Sequence, residues 1–280
     1  MSDLPAFARG LCDDAAVFPP GLAPLADAVR GHRRHRSAPY AALVGPLVLP
    51  ATALDQLYPL LGGDPLDLSI TAPNGPAQAA RALATAADLP VDVHAVEVAV
   101  PTGMTAADLL CGLERLDVPV FVEVPRDERR PAVLAALGET GHRAKFRTGG
   151  VHANLYPAPD ELAAAVLAAV RAGVPFKATA GLHHPVRNTD PETGFHQHGF
   201  LNLLLAADAA MHGADVPEVA AVLADRDAAS IAARVAGLGD ARASFARARF
   251  LSFGTCSITD PLTELAALGL LPASLLKEDA

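Results

Sequence analysis

The chain has 280 residues, of which 51% are hydrophobic, and its formal net charge is −9 at pH 7. This length and apolar content suit a single domain with a large core, and the negative charge argues against nucleic acid or an anionic membrane as the main partner. Three cysteines at unrelated spacings, no basic-then-apolar pattern over Met1–Gly10 and no apolar run long enough to span a bilayer lead us to expect a cytoplasmic protein with reduced thiols.

Apolar runs typical of β-strands alternate with helical patterns along the chain. The predicted strands are Ala15–Phe18, Ala41–Leu49, Leu66–Ala72, Val91–Val100, Val118–Val124, Ala144–Thr148, Phe176–Ala180 and Phe250–Cys256. The predicted helices are Leu22–Arg30, Ala53–Leu61, Ala77–Ala87, two that begin at Thr105 and Arg130, one after Pro159, Phe200–His212, Val216–Val235 and one from Pro261. Eight strand and helix repeats predict an α/β fold, a single TIM-type (β/α)8 barrel over residues 1–280.

The stretch 181–249 interrupts this rhythm between the seventh and eighth strands. It holds a loop rich in Gly, Pro and His followed by two helical patterns. Because it leaves the end of the barrel where such enzymes keep their chemistry, we interpret it as a lid or substrate-selecting insertion. The alternative for Val216–Val235 is an additional pair of packing helices.

Polar side chains of the central strands share one parity. They are Asp67, Ser69, Thr71, Glu97, Glu123, Lys145, Arg147, Lys177 and Thr179. Successive strand side chains point to opposite faces, so the apolar face would pack against helices and the ionisable face would look into the barrel or its mouth. Charges are costly in such a place, and the cluster therefore predicts a functional site.

Lys145 and Lys177 are the principal catalytic candidates because their predicted strands are adjacent. Burial and a neighbouring cation can lower the pKa of a lysine by up to about 3–5, which would give a nucleophilic amine near neutral pH. Arg147, with the same parity, would add to that effect or bind an anionic substrate group. The competing interpretation is a neutralising cluster with Glu97 and Glu123.

Glu97 and Glu123 would transfer protons or orient water and substrate hydroxyls. A divalent metal such as Mg²⁺ or Mn²⁺ is the competing role for such carboxylates at neighbouring strand ends. The leading hypothesis has no cofactor.

Four histidines gather where the insertion begins: His183, His184, His196 and His198. They are either polar loop residues, acid–base or phosphate-contacting groups, or metal ligands. The candidate metal set is Glu97, Glu123, His183, His196 and His198.

Ser252 and Cys256 share the inward parity of the eighth strand and leave space near the lysines. A nucleophilic role for Cys256 has little support because the sequence offers it no clear base neighbour. We expect His94 to point outward beneath a helix, and the basic run 32–36 to be a solvated surface or a contact in a homo-oligomer.

The last three predicted strands resemble those of the deoxyribose-phosphate aldolase group of class I aldolases. The similar segments are 144–149, 176–182 and 253–257, with sequences AKFRTG, FKATAGL and FGTCS. The resemblance implies a Schiff-base lysine at Lys145, an activating lysine at Lys177 and an acidic proton relay at Glu97, where that family has Asp. Arg147 replaces a small residue, and Leu182–Pro185 replaces a glycine-rich phosphate-binding turn, so phosphate recognition is not implied. Segments 14–20 and 176–185 are similar over a longer part of the chain to a widespread group of bacterial proteins without an assigned activity.

The leading hypothesis is therefore a class I aldolase-like lyase that acts on a small anionic carbonyl or hydroxy-carbonyl metabolite. Lys145, Lys177, Glu97 and Glu123 would be catalytic. The predicted substrate-binding residues are Arg147, Thr179, His183, His184, Ser252 and Ser69. The alternatives are a divalent-metal lyase or hydrolase and a barrel that binds a metabolite without turnover.

Overall fold

A computed structural model of the chain describes residues 4–62 and 64–276 and contains a closed barrel of eight parallel strands surrounded by helices. The barrel strands are β1 (Cys12–Asp14), β2 (Val44–Pro50), β3 (Leu66–Ala72), β4 (Val91–Ala99), β5 (Val120–Glu123), β6 (Arg143–Arg147), β7 (Phe176–Thr179) and β10 (Phe250–Thr255), and β1 closes the ring between β2 and β10. This architecture confirms the predicted (β/α)8 fold. Residues 1–3 of the segment Met1–Gly10 lie outside the described part of the chain.

Helices cover the outer face of the barrel. They are α1 (Leu25–Ser37), α2 (Pro76–Ala86), α3 (Ala106–Leu113), α4 (Arg130–Thr140), α5 (Pro159–Arg171), α6 (Phe200–Met211), α7 (Val216–Ala224), α8 (Ala228–Ala236), α9 (Gly239–Arg247) and α10 (Thr259–Ala267). Short 3-10 helices occur at Ala41–Leu43, Ala51–Gln56, Tyr58–Leu60, Ala153–Leu155 and Ala273–Leu276. Within the described residues, every helix is too short or too polar to cross a membrane.

Sequence signals fix several of these helix starts. The Thr105 side chain accepts a hydrogen bond from the backbone of Asp108, whose carboxylate accepts one from the Thr105 backbone, and this capping box begins α3. Pro159 occupies the first position of α5, where a missing N–H costs nothing, and Asp160 and Glu161 follow in the first turn.

The predicted elements nearest the N-terminus were misplaced. The first strand is Cys12–Asp14 rather than Ala15–Phe18, because its two carboxylates find buried partners that are distant in the sequence. The first helix is Leu25–Ser37, so the basic run 32–36 is part of it. The predicted helix Ala53–Leu61 is two 3-10 helices.

The insertion between β7 and β10 has two structural parts. The first is an antiparallel hairpin of β8 (Asn188–Thr189) and β9 (His196–Gln197), and we call residues 188–197 the mouth hairpin. The second is the helical stretch α6–α9, in which α6 is almost wholly buried and the predicted helix Val216–Val235 is divided into α7 and α8. Asn202 of α6 joins the two parts, since its amide accepts from the Arg187 backbone at 2.9 Å and donates to the carbonyl of Val222 at 2.8 Å.

Strand register decides which polar residues meet. Lys145 of β6 pairs with Lys177 of β7, and Glu123 of β5 pairs with Lys145. Further along the same side of the ring, Thr71 of β3 pairs with Glu97 of β4, which is the neighbour of β5. The polar parity of the sequence is thereby brought to one end of the barrel interior.

Candidate functional site

A cavity of about 900 Å³ opens at the carboxyl ends of the barrel strands. Its floor includes Glu97, Glu123, Lys145, Arg147 and Lys177, and the loops after the strands and the mouth hairpin form its sides. The carboxyl-terminal face is the usual place for the active site of such a barrel. The cavity is therefore our candidate active site.

One carboxylate joins the two lysines. Glu97 Oε2 accepts a hydrogen bond from Lys145 Nζ at 3.0 Å, and its Oε1 accepts one from Lys177 Nζ at 2.6 Å. The Ser69 hydroxyl donates to the same Oε1 at 2.9 Å. All four side chains are buried. The amines thus lie close together in a shielded space, as the parity of the strands predicts.

Lys177 is enclosed by a second acid, Asp13 of β1. Lys177 Nζ lies 2.5 Å from Asp13 Oδ2, and the Ser252 hydroxyl donates to that oxygen at 2.8 Å. The ammonium group also lies over the ring of Phe121, 5.3 Å from its centroid. The Lys177 side chain is 2% exposed, so it is the more deeply buried of the two amines of the cavity floor and has acceptors on two sides.

Lys145 has a more open second partner, Glu123. The Lys145 Nζ to Glu123 Oε2 distance is 3.0 Å, and Glu123 Oε1 accepts from Arg147 Nε at 2.8 Å. The exposed fractions of the side chains rise along this series of ion pairs, from 6% for Lys145 to 20% for Glu123 and 36% for Arg147. Charge therefore extends from the buried amine to the solvent of the cavity. We call Asp13, Glu97, Glu123, Lys145, Arg147 and Lys177 the charged cluster.

The electrostatics differ from the expectation of a lowered lysine pKa. Burial lowers the pKa of Lys177, but the charges and hydrogen bonds of Asp13 and Glu97 outweigh burial and raise it above the ordinary value. For Glu97, burial favours a higher pKa, yet Lys177 and Lys145 hold it far below its usual range. Burial also favours a higher pKa for Glu123, but the charges and hydrogen bonds of Lys145 and Arg147 outweigh it and lower that pKa to about 2. Lys177 is consequently a permanent ammonium group at neutral pH.

The other predicted substrate-binding residues lie in three different places. Thr179 and His183 line the cavity with Arg147. Ser69 and Ser252 instead hold the buried carboxylates of Glu97 and Asp13, and so position charged groups of the cluster. His184 points elsewhere, since its Nδ1 contacts Glu264 at 2.7 Å, a bond that is the main reason its pKa is raised.

The residues proposed as a metal set are distributed over separate places. His183 shares the cavity with Glu97 and Glu123. His198 is buried, with one ring nitrogen 2.8 Å from the carbonyl of Pro157 and the other 3.1 Å from Arg187. His196 contacts Thr189 and Arg226 on the mouth hairpin. In the described part of the chain, no group of three or more His, Cys, Asp or Glu side chains is arranged to hold a metal ion.

The sequence analysis missed one site residue, Asp13, and one contact of Cys256. Asp13 was missed because the first strand was predicted to begin after it, at Ala15. The sequence does contain a signal for the true strand: the apolar residues Leu11 and Cys12 are followed directly by two acidic residues. Cys256 does have a histidine neighbour, since its Sγ lies 3.9 Å from His183 Nδ1 in the cavity. Burial raises the pKa of this thiol.

Two histidines outside the cavity also differ from expectation. His32, in the basic run, is 1% exposed, and its Nδ1 lies 3.0 Å from Asp14 Oδ2, so this end of the run is buried structure rather than solvated surface. His94 is about half exposed and contacts Asp67 at 3.1 Å instead of packing beneath a helix.

The lysines stand out against the composition of the whole chain. The sequence has 22 basic residues of the Lys and Arg types, and its lysines are Lys145, Lys177 and Lys277. The two within the described residues are both buried in the charged cluster. Lysine within the described residues is therefore found at the candidate site, and arginine supplies basic side chains both there, as Arg147, and elsewhere, as Arg126.

Comparison with known proteins gives no further assignment: no protein-family model matches the chain, and no curated protein is significantly similar to it.

Proposed function

We propose that the protein is a lyase of the class I aldolase type that acts on a small anionic carbonyl or hydroxy-carbonyl compound. Lys145 is the amine that condenses with the substrate. The observation that carries this proposal is the position of Lys145 Nζ at the cavity floor, 3.0 Å from both Glu97 and Glu123, beside a fixed second ammonium group. A buried amine among acids has no evident benefit for stability over an apolar core.

The environment of the lysines supports Lys145 rather than Lys177 as the nucleophile. Lys177 lies between two buried carboxylates that raise its pKa, so it keeps its proton. Lys145 shares its second acid, Glu123, with the cavity. The Lys145 side chain is 6% exposed and that of Lys177 is 2% exposed, so Lys145 is the amine nearer to a carbonyl compound in the cavity.

The reaction follows from these positions. The free Lys145 amine adds to the substrate carbonyl, a C–N bond forms, and the carbonyl oxygen leaves as water to give an iminium ion. The substrate hydroxyl then loses its proton and becomes the carbonyl group of the first product as the adjacent C–C bond breaks. The electron pair of that bond moves into the iminium to form an enamine. Protonation of the enamine carbon and hydrolysis release the second product and restore the amine.

The carboxylates have different roles in this scheme. Glu97 stays ionised, because both lysines hold its pKa far below the usual range, and its charge stabilises the iminium on Lys145. Glu123 is also ionised, with a pKa of about 2, and as the more exposed acid it is assigned the orientation of the water that carries protons to and from the reacting atoms. Arg147 extends from Glu123 into the cavity and binds the anionic group of the substrate.

Borohydride trapping tests the proposal. The protein is incubated with a panel of aldehydes, ketones and 2-oxo acids, reduced, digested and analysed by mass spectrometry. We expect a reduced adduct on the peptide that contains Lys145. Lys145→Met should lose the adduct, and a label found on Lys277 would report non-specific reductive alkylation. A panel with no Lys145 adduct would overturn the proposal.

A further inference from the structure

The sides of the cavity differ sharply in chemistry from its floor. The floor carries the charged cluster, whereas the mouth is lined by large apolar side chains from separate loops. These are Phe18 and Pro19 after β1, Val151, Leu155 and Tyr156 after β6, and Phe195 in the mouth hairpin. We call these six residues the mouth wall. The mouth wall is formed by three segments that are distant in the sequence and come together at the mouth of the cavity.

The mouth wall exposes apolar surface that a folded protein normally covers. Val151 is 67% exposed, and Phe18, Leu155 and Phe195 are half-buried. The rings of Tyr156 and Phe195 lie 5.2 Å apart at an interplanar angle of 51°, and this pair links the loop after β6 to the mouth hairpin. Contiguous apolar surface at the rim of a cavity is typical of a ligand-binding site.

Polar groups near the mouth wall are mostly engaged with one another. The Tyr156 hydroxyl donates to the carbonyl of Gly150 at 3.0 Å, so this polar group already has a partner within the protein. Asp190 accepts from the Thr193 backbone at 2.7 Å and from the Gln197 amide at 3.2 Å. Glu192 is an exposed carboxylate at the rim and would repel a second anionic group.

The volume of the cavity indicates the size of the ligand. At about 900 Å³ the cavity lies near the upper end of the range of about 300–1,000 Å³ that holds drug-sized ligands. A compound of three or four carbons on the charged floor would leave the mouth wall in contact with water. Such a compound would make no use of Phe18, Val151 or Phe195.

We infer that the substrate is amphipathic: its carbonyl and anionic groups lie on the charged floor, and an uncharged alkyl or aromatic tail packs against the mouth wall. The position of the head group rests on the proposed function. The tail rests on the mouth wall alone. Burial of each added methylene should strengthen binding about fourfold, the equivalent of about 0.8 kcal/mol.

A series of straight-chain 2-oxo acids, from pyruvate to 2-oxooctanoate, tests the inference by two readouts. The first is the concentration of each acid that half-saturates borohydride trapping at Lys145. The second is the shift in melting temperature that each acid causes without borohydride, which needs no chemistry. Over the first several methylenes, the half-saturating concentration should fall and the melting shift should rise with chain length. Both should then level off as the tail reaches the rim of the cavity.

Variants of the mouth wall complete the test. Phe195→Ala and Val151→Ser should flatten the dependence of both readouts on chain length. Phe245→Ala is the matched control, because Phe245 is an exposed ring on α9 that contacts His212 away from the cavity. It should leave the whole series unchanged.

The two proposals fail in different ways. A Lys145 adduct that forms equally well at every chain length, with flat melting shifts, would overturn the amphipathic substrate and leave the lyase in place. Melting shifts that grow with chain length, with no adduct from any acid or aldehyde, would support the apolar tail and overturn the Schiff-base mechanism.

Discussion

Replacement of Glu97 by glutamine should expose how strongly the charged cluster depends on one carboxylate. The amide keeps an oxygen that can accept from Ser69, but it removes the charge that faces Lys145 at 3.0 Å and Lys177 at 2.6 Å. Two charge-assisted hydrogen bonds at about 1.5–3 kcal/mol each give a loss of about 3–6 kcal/mol. Breaking a buried ion pair costs a similar 3–5 kcal/mol or so. We therefore expect Glu97→Gln to lower the free energy of unfolding by about 4 kcal/mol.

Urea unfolding at neutral pH measures this loss, and Glu161→Gln is the matched control. Glu161 accepts from Arg126 at 2.7 Å, but its side chain is one-third exposed, so the same substitution there should cost less than about 1 kcal/mol. Removing Lys177 as well restores the charge balance. The double variant Glu97→Gln, Lys177→Met should consequently lose less stability than the two single losses added together.

The pH dependence checks the sign of the effect. The pKa of Glu97 is lower in the folded chain than its unfolded value of about 4.3, so its stabilisation is complete above that value and declines as pH falls below it. The stability difference between the unaltered protein and Glu97→Gln should be constant from pH 7 to about 5 and shrink at lower pH. A difference below about 1 kcal/mol at neutral pH, or one that grows with acid, would refute the reasoning.

Three further predictions concern other parts of the fold. Asn202→Leu should lower the free energy of unfolding by about 2–3 kcal/mol in urea titrations, because buried backbone groups lose their partners; an unchanged midpoint would contradict this. Gly149→Ala should weaken ligand-induced melting shifts, since a Cβ there would lie 2.7 Å from Gly181 Cα; unaltered shifts would count against the close approach of these loops. Iodoacetamide should label the exposed Cys111 before Cys256, and labelling of Cys256 should rise more steeply above pH 8, because burial raises its pKa; faster labelling of Cys256 at pH 7 would disprove this.

The sequence was sufficient to predict the barrel because both signals are local: strand patterns alternate with helix patterns, and polar residues share one parity within the strands. Strand parity placed Glu97, Lys145 and Lys177 on one inner surface, and their mutual contacts follow from the register of parallel neighbours. The strand Leu66–Ala72 was predicted with its observed ends, since the turn residues after it are unambiguous.

Features that depend on distant partners could not be predicted in this way. Asp13 joins the charged cluster through residues more than a hundred positions away, and a three-residue strand has too little pattern to identify. The pKa of Lys177 depends on the balance between burial, which lowers it, and two acids, which raise it, and one of those acids, Asp13, lies on a strand that the sequence analysis misplaced. Likewise, the contact between Cys256 and His183 depends on the path of a loop.

The shortest barrel strand, β1, closes the barrel by pairing with β2 on one side and with β10, the last barrel strand, on the other. Asp13 turns inward to Lys177, 164 residues away, and Asp14 turns outward to His32 on α1. Closure of the barrel at β1 and completion of the charged cluster are thus one event. A chain that lacks β1 would lose the Asp13 partner of Lys177 and leave Glu97 to balance that ammonium group, so truncation through residue 14 should abolish ligand binding and lower the cooperativity of unfolding together.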